Sequence, residues 1–236
     1  MKENDVILKR QSTQIFFKNG DTDFFFNWLL GIGEIFGFSH GELYYLAQRL
    51  GNSPKPDDWK NVFLSHVNYL EQEASNSGLS EQTKAQYYLA QTYSLRSAIQ
   101  FTDPFSEEYL PTVRQMEKVF SSAIHSLGAP IEKLTITYQG SYLPGYYLHS
   151  GDNCPTLIMI GGGDTYREDL FYFAGYPGWI RNYNVLMVDL PGQGSNPSRG
   201  LVFDVDASIP ISLCIDWLEN RNPKLNYLAI YGVSGG

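Results

Sequence analysis

The stretch Leu228-Ala229-Ile230-Tyr231-Gly232-Val233-Ser234-Gly235-Gly236 decides how this chain is read. Residues 228–231 are apolar and read as a short buried strand. A G-x-S-x-G sequence follows with no spacer. A serine placed there sits on a sharp strand-to-helix turn in strained backbone. Small residues flank it because a side chain two positions away would collide with the neighbouring strand or helix. Such a turn lifts the hydroxyl clear of the sheet and aims the following backbone N–H groups at a developing oxyanion. Ser234 is therefore the candidate nucleophile and Gly235 a candidate oxyanion donor. A plain tight turn without chemistry is the competing reading, because glycine- and serine-rich turns are common; the apolar strand before this one argues for the nucleophile.

Working outward, residues 156–160 and 185–189 are two more short apolar runs, each followed by a glycine-rich loop. The first loop is Gly161-Gly162-Gly163-Asp164, where glycine lets the backbone approach a substrate closely; Gly163 is the candidate for a second oxyanion N–H. The bland alternative is a glycine-rich turn with no chemistry. A phosphate-binding loop is disfavoured, since neither G-x-G-x-x-G nor a glycine-lysine-serine/threonine ending is present. The second loop is Asp189-Leu190-Pro191-Gly192-Gln193-Gly194, with Asp189 expected to bond backbone. Asp164, Arg167, Glu168 and Asp169 cluster at a helix start and read first as structural. Residues 134–139 and 144–149 form a hairpin, and 209–218 a helix. Strand, glycine loop, helix and strand in alternation imply a parallel sheet.

Before residue 130 the period is helical. Ser39 and Glu42 fit a capping box, and Gly51 sits where a helix end wants a left-handed residue. Pro54 and Pro56 break the chain, and Asp57 is the expected cap of a helix lined by Trp59, Phe63, Val67 and Leu70. Ser80 opens a third helix with Ala85, Tyr88, Leu89, Leu95 and Ile99 facing inward. Leu110, Val113, Met116, Phe120, Ile124 and Leu127 stripe a fourth, stopped by Gly128 and Pro130. The expected division is residues 1–130 as an all-α helical domain and 131–236 as an α/β domain.

The 236 residues are 43% hydrophobic and 18% charged, a globular composition. A net charge of -8 argues against nucleic acid as a partner. Cys154 and Cys214 are too few for a disulfide scaffold and fit reduced thiols in a cytoplasmic protein. Met1 to Lys9 carry both charge signs and no signal-peptide run. The most apolar stretch, 24–38, is too short to span a bilayer and contains Asn27 and Glu34, so no membrane partner is expected. No metal-ligand cluster is visible, and no cofactor is expected.

These features together resemble the α/β-hydrolases with an N-terminal helical cap, a group that includes the fermentation-respiration switch protein, dihydroxypseudooxynicotine hydrolase and the fungal hydrolases that shorten polyketide chains. The resemblance covers nearly the whole chain. It rests on Phe26-Asn27-Trp28-Leu29-Leu30-Gly31, Leu143-Pro144-Gly145-Tyr146, Gly161-Gly162-Gly163-Asp164, Pro191-Gly192-Gln193-Gly194 and Gly232-Val233-Ser234-Gly235-Gly236. Leu190 departs from the pattern, which usually has a small residue before that proline. The resemblance implies an α/β-hydrolase fold, N-terminal half of the sheet, behind the helical cap. It further implies hydrolysis of a small-molecule substrate, an acyl compound, an ester or a ketone-activated carbon–carbon bond, enclosed between cap and core. Trp28, Tyr44, Tyr45, Tyr87, Tyr88 and Tyr93 are candidates to line that pocket, although aromatics at helical spacing are usually core. A homodimer is left open.

In this fold the triad runs serine, acid, histidine along the chain. His40, His66, His125 and His149 all precede Ser234 and are expected to be structural. The acid and base should therefore lie beyond Ser234, and the chain is expected to be a piece of a longer or split molecule, inactive alone, with an unpaired apolar sheet edge. The competing class is a non-catalytic regulatory or interaction protein on a hydrolase scaffold. The hydrolase reading requires the Ser234 side chain to lie near Gly163, outside the packed core.

Overall fold

The computed structural model describes residues 14–33 and 37–236. The expectations for Met1 to Lys9 and for Glu34 fall outside those residues. Five helices come first: α1 (Gly20–Ile32), α2 (His40–Leu50), α3 (Pro56–Ala74), α4 (Glu81–Ala98) and α5 (Tyr109–Leu127). Their ends follow local chemistry. The Ser39 hydroxyl accepts from the Glu42 N–H at 3.1 Å, and that of Ser80 from the Thr83 N–H at 3.1 Å, each satisfying an amide the first turn leaves open. Gly128 closes α5 at φ 65°, ψ 25°, with its N–H bonded to the His125 carbonyl at 3.0 Å. Asp57 is not the cap of α3. Pro56 pre-sets the helical φ and starts the helix there, and the Asp58 carboxylate accepts from the Lys55 N–H at 3.0 Å.

Five strands follow: β1 (Ile131–Tyr138), β2 (Ser141–Leu148), β3 (Thr156–Ile160), β4 (Asn184–Val188) and β5 (Leu228–Gly232). The turn between β1 and β2 holds Gln139 at φ 46° and Gly140 at φ 74°, the two positive values a tight hairpin needs. The sheet order is β1-β2-β4-β3-β5, with β2 antiparallel to β4 and β3 parallel to both β4 and β5. Short helices α6 (Arg167–Leu170) and α7 (Tyr176–Trp179) lie between β3 and β4, and α8 (Ser208–Arg221) lies between β4 and β5.

Both faces of the sheet are covered. On one, Tyr146, Leu148, Met159 and Met187 share a core with Phe25, Leu29, Tyr93 and Phe120 from the helical half. On the other, Ile158, Ile160, Leu186 and Val188 pack with Cys214 and Leu218 of α8. Cys214 is fully buried, and burial pushes its thiol up to about 12, so it stays protonated and inert. β3 and β4 are the buried parallel strands that their apolar runs promised. β5 is not buried as its apolar run suggested: it pairs with β3, Leu228, Ile230 and Tyr231 are 37%, 50% and 54% exposed, and among the described residues no second strand pairs with it. Among the described residues, no helix is long and apolar enough to cross a membrane.

Candidate active site

β5 delivers Ser234. The register Ile160↔Gly232 continues into a bond from the Val233 N–H to the Ile160 carbonyl at 3.1 Å, after which the chain turns sharply and the Gly236 N–H returns to the Val233 carbonyl at 3.0 Å. At the apex Ser234 has φ 59°, a left-handed value that costs a non-glycine residue on the order of 1–3 kcal/mol. The outer glycines have a steric reason. A Cβ on Gly232 would lie 2.6 Å from the Gly236 carbonyl carbon, and one on Gly236 would lie 2.7 Å from the Ile160 carbonyl oxygen. The turn closes only if both positions lack a side chain.

Each of the three glycines after β3 has a different neighbour. A Cβ on Gly161 would collide with the Thr165 hydroxyl. A Cβ on Gly162 would lie 2.6 Å from the Ser234 Cβ and 3.0 Å from its Oγ. A Cβ on Gly163 would meet open space, with Phe203 Cζ nearest at 3.9 Å, and the Gly163 nitrogen lies 3.9 Å from where a Gly235 Cβ would stand. Ser234, Gly163 and Gly235, nominated separately from sequence, are thus brought together.

Ser234 and Gly163 open into a cleft of about 940 Å³ between the two halves of the chain. Its sheet side is Gly162, Gly163, Asp164, Thr165, Phe173, Val233 and Ser234; its helical side is the α1 face of Asp21, Phe24, Phe25 and Trp28, with Asn27, Gln100 and Phe101 beside them. Of the six aromatics expected to line a pocket, only Trp28 does. Tyr44 and Tyr45 are on the outer surface, Tyr87 and Tyr88 are half-buried away from the cleft, and Tyr93 is enclosed in the core. The residues missed carried a signal: Asp21, Phe24 and Phe25 stand at i, i+3 and i+4, with the expected Trp28 at i+7, on one face of a helix.

A buried ionic framework holds the sheet side. Arg96, 1% exposed, pairs with Asp169 at 3.0 Å, donates to the Asp164 carbonyl, and lies over the rings of Tyr166, Trp28 and Phe25. Asp189 does bond backbone, accepting from the Arg167 N–H at 2.6 Å, and also pairs with the Arg167 guanidinium at 2.7 Å. Arg167 meets Glu117 at 2.6 Å and Glu168 at 3.5 Å as well, so three carboxylates share one cation. Burial pushes Glu168 up to about 7 and Asp189 up to about 6, against the pull of Arg167. Arg167, Glu168, Asp169 and Asp189 are absent from the cleft wall and are structural; Asp164 lines it.

Among the described residues, no histidine lines the cleft. His66 is buried in the helical half, its two ring nitrogens 2.9 Å from Ser94 Oγ and Glu42 Oε1, and Ser94 is fully buried. Among the described residues no cluster of three or more His, Cys, Asp or Glu could hold a metal.

The strand order, the serine turn and the glycine loop that meets it define the α/β-hydrolase fold, and the comparisons agree with it. The solved structure of 2,6-dihydroxy-pseudo-oxynicotine hydrolase matches at a TM-score of 0.68 with 19% identity, over 86% of this chain and 57% of that one. In sequence the chain is similar to the hydrolyase ccsE of Aspergillus clavatus, 27% identical over 85% of this chain and 52% of the relative. It is also similar to the hydrolyase poxO of Penicillium oxalicum, 25% identical over 94% of this chain and 56% of the relative. The chain is α/β-hydrolase-like and spans about half the length of these relatives. No protein-family model matches it.

Proposed function

We propose that the whole protein is a serine hydrolase of small acyl, ester or ketone-activated substrates, with Ser234 as nucleophile and the backbone N–H groups of Gly163 and Gly235 as oxyanion donors. The observation that carries this is the positive φ of Ser234 at the floor of an aromatic-walled cleft, opposite a glycine loop with an open face. Strain of that kind persists where the surrounding structure enforces it, and it clusters at reactive groups. Residues 1–130 act as the cap over a catalytic domain that begins at 131. The Ser234 Oγ attacks the substrate carbonyl, and the carbonyl oxygen becomes an oxyanion bonded to the two amides. The hydroxyl proton passes to a base and from it to the leaving alcohol or carbanion, and water then releases the acyl group.

With no histidine in the cleft, the base and its acid partner are assigned to the part of the protein corresponding to the half of the relatives that this chain does not span. Kinetics of the whole protein on p-nitrophenyl acyl esters and an aryl β-diketone test the reading. Ser234→Ala should lower kcat by about a thousandfold or more. Hydrolysis unaffected by that substitution would overturn it, and a whole protein inert toward the panel would favour a regulatory role for the scaffold.

A further inference from the structure

The Gly162–Gly163 peptide is engaged on both sides: its N–H is the assigned oxyanion donor, and its carbonyl is held from behind. Gln193, 3% exposed, spends its whole side chain on this region. Its Oε1 accepts from the Leu190 N–H at 2.8 Å, and its Nε2 donates to the Gly161 carbonyl at 2.7 Å and the Gly162 carbonyl at 2.9 Å. The Gly162 carbonyl also accepts from the Thr165 hydroxyl at 2.8 Å and the Thr165 N–H at 3.3 Å. In a trans peptide the C=O and N–H point in opposite directions. Three donors on the Gly162 oxygen therefore fix where the Gly163 N–H points. Glycines on both sides of that peptide leave it free to flip when those donors are removed.

The geometry points to Gln193 and Thr165 as positioning residues that aim the Gly163 N–H at the oxyanion. This inference rests on the serine-hydrolase reading. Neither side chain needs to touch the reacting carbonyl. Their contribution appears as the transition state gains charge, so it belongs in kcat and leaves KM nearly alone.

Gln193→Glu in the whole protein is the test. The substitution keeps the shape and the bond from Leu190, but its carboxylate faces two carbonyl oxygens it cannot bond; once protonated, it can donate to one of them. Kinetics are normalised to the concentration of Ser234 that a fluorophosphonate titrates. At pH 8 kcat should fall about tenfold or more with KM changed less than about threefold, since losing a whole oxyanion donor costs about 10²–10³. The ratio of variant to wild-type kcat should climb as pH falls through the new carboxyl's titration. Thr165→Val, which removes one of the three donors, should lower kcat by about threefold and serves as the test if the first variant does not fold. A wild-type kcat in either folded variant, or a loss confined to KM, overturns the inference. Those outcomes leave the hydrolase reading standing, whereas failure of the wild type to be labelled at Ser234 removes both.

Discussion

Gly162 and Ser234 are in contact across the floor of the cleft: a methyl group on the glycine would stand 2.6 Å from the serine Cβ and 3.0 Å from its Oγ. A methyl group on Gly163, one residue on, would have nothing nearer than Phe203 Cζ at 3.9 Å. Adjacent glycines therefore differ in what they tolerate. Gly162→Ala should displace Ser234 and lower kcat by about a hundredfold, the scale set by a misplacement of about 1 Å. Gly163→Ala should fold with a Tm within about 2 °C of wild type, since surface substitutions that meet no neighbour usually cost under about 0.5 kcal/mol. Steady-state kinetics with differential scanning calorimetry on the two variants checks the contrast; equal kcat for both would contradict it.

Among the described residues, the charged side chains lining the cleft are Asp21 and Asp164. Two like charges facing a substrate repel a carboxylate, with a strength that depends on local screening. For matched aryl esters with and without a distal carboxylate, kcat/KM should favour the neutral one by about tenfold, or about 1.4 kcal/mol. Asp164→Asn should narrow the gap. A carboxylate-bearing ester hydrolysed as fast as its neutral partner would count against this cleft as the substrate site.

The wall itself can be tested by pairing Phe24 with Tyr45. Both are exposed aromatics, at 43% and 60%, but only Phe24 faces the cleft. Phe24→Ala should raise KM for an aromatic ester by about twofold to tenfold, as expected when an aromatic contact of about 0.5–1.5 kcal/mol is lost. Tyr45→Ala should leave KM unchanged. KM values that move together would place the substrate elsewhere.

Much of this was legible in the chain and some was not, for reasons particular residues make plain. Helix ends at Ser39, Ser80 and Gly128 were readable because caps are local chemistry. The strands and the serine turn were readable because glycine at 232 and 236 answers to contacts within that turn and its paired strand. Asp57 misled because proline at 56 competes for the same helix start. The cleft wall was misassigned because counting aromatics gives no direction. Phe101 and Phe173 lie more than seventy residues apart and come to line one cleft only through the fold. Burial of β5 depends on what lies on its open edge, and no local pattern carries that information.

Glu168 gives the fold a pH dependence. Burial raises its carboxyl from 4.5 to about 7, so between those values the folded state holds a proton that the unfolded state has lost. Stability from this group is complete below about 4.5 and is lost as pH rises toward 7, and Asp189, raised from 3.8 to about 6, acts in the same direction. Glu168→Gln cannot ionise and keeps an acceptor for the Tyr146 hydroxyl, which donates to Glu168 Oε1 at 2.6 Å. From pH 5 to pH 8 the Tm of the wild type should fall by about 5 °C relative to this variant. A constant difference across that range would contradict the account.

Reaction of the whole protein with a fluorophosphonate, followed by mass spectrometry of the peptides, addresses the nucleophile most directly. The account predicts one phosphonylated residue, Ser234, with labelling abolished by Ser234→Ala and by prior denaturation. A folded protein that leaves Ser234 unmodified, or that carries the label on another residue, would contradict it.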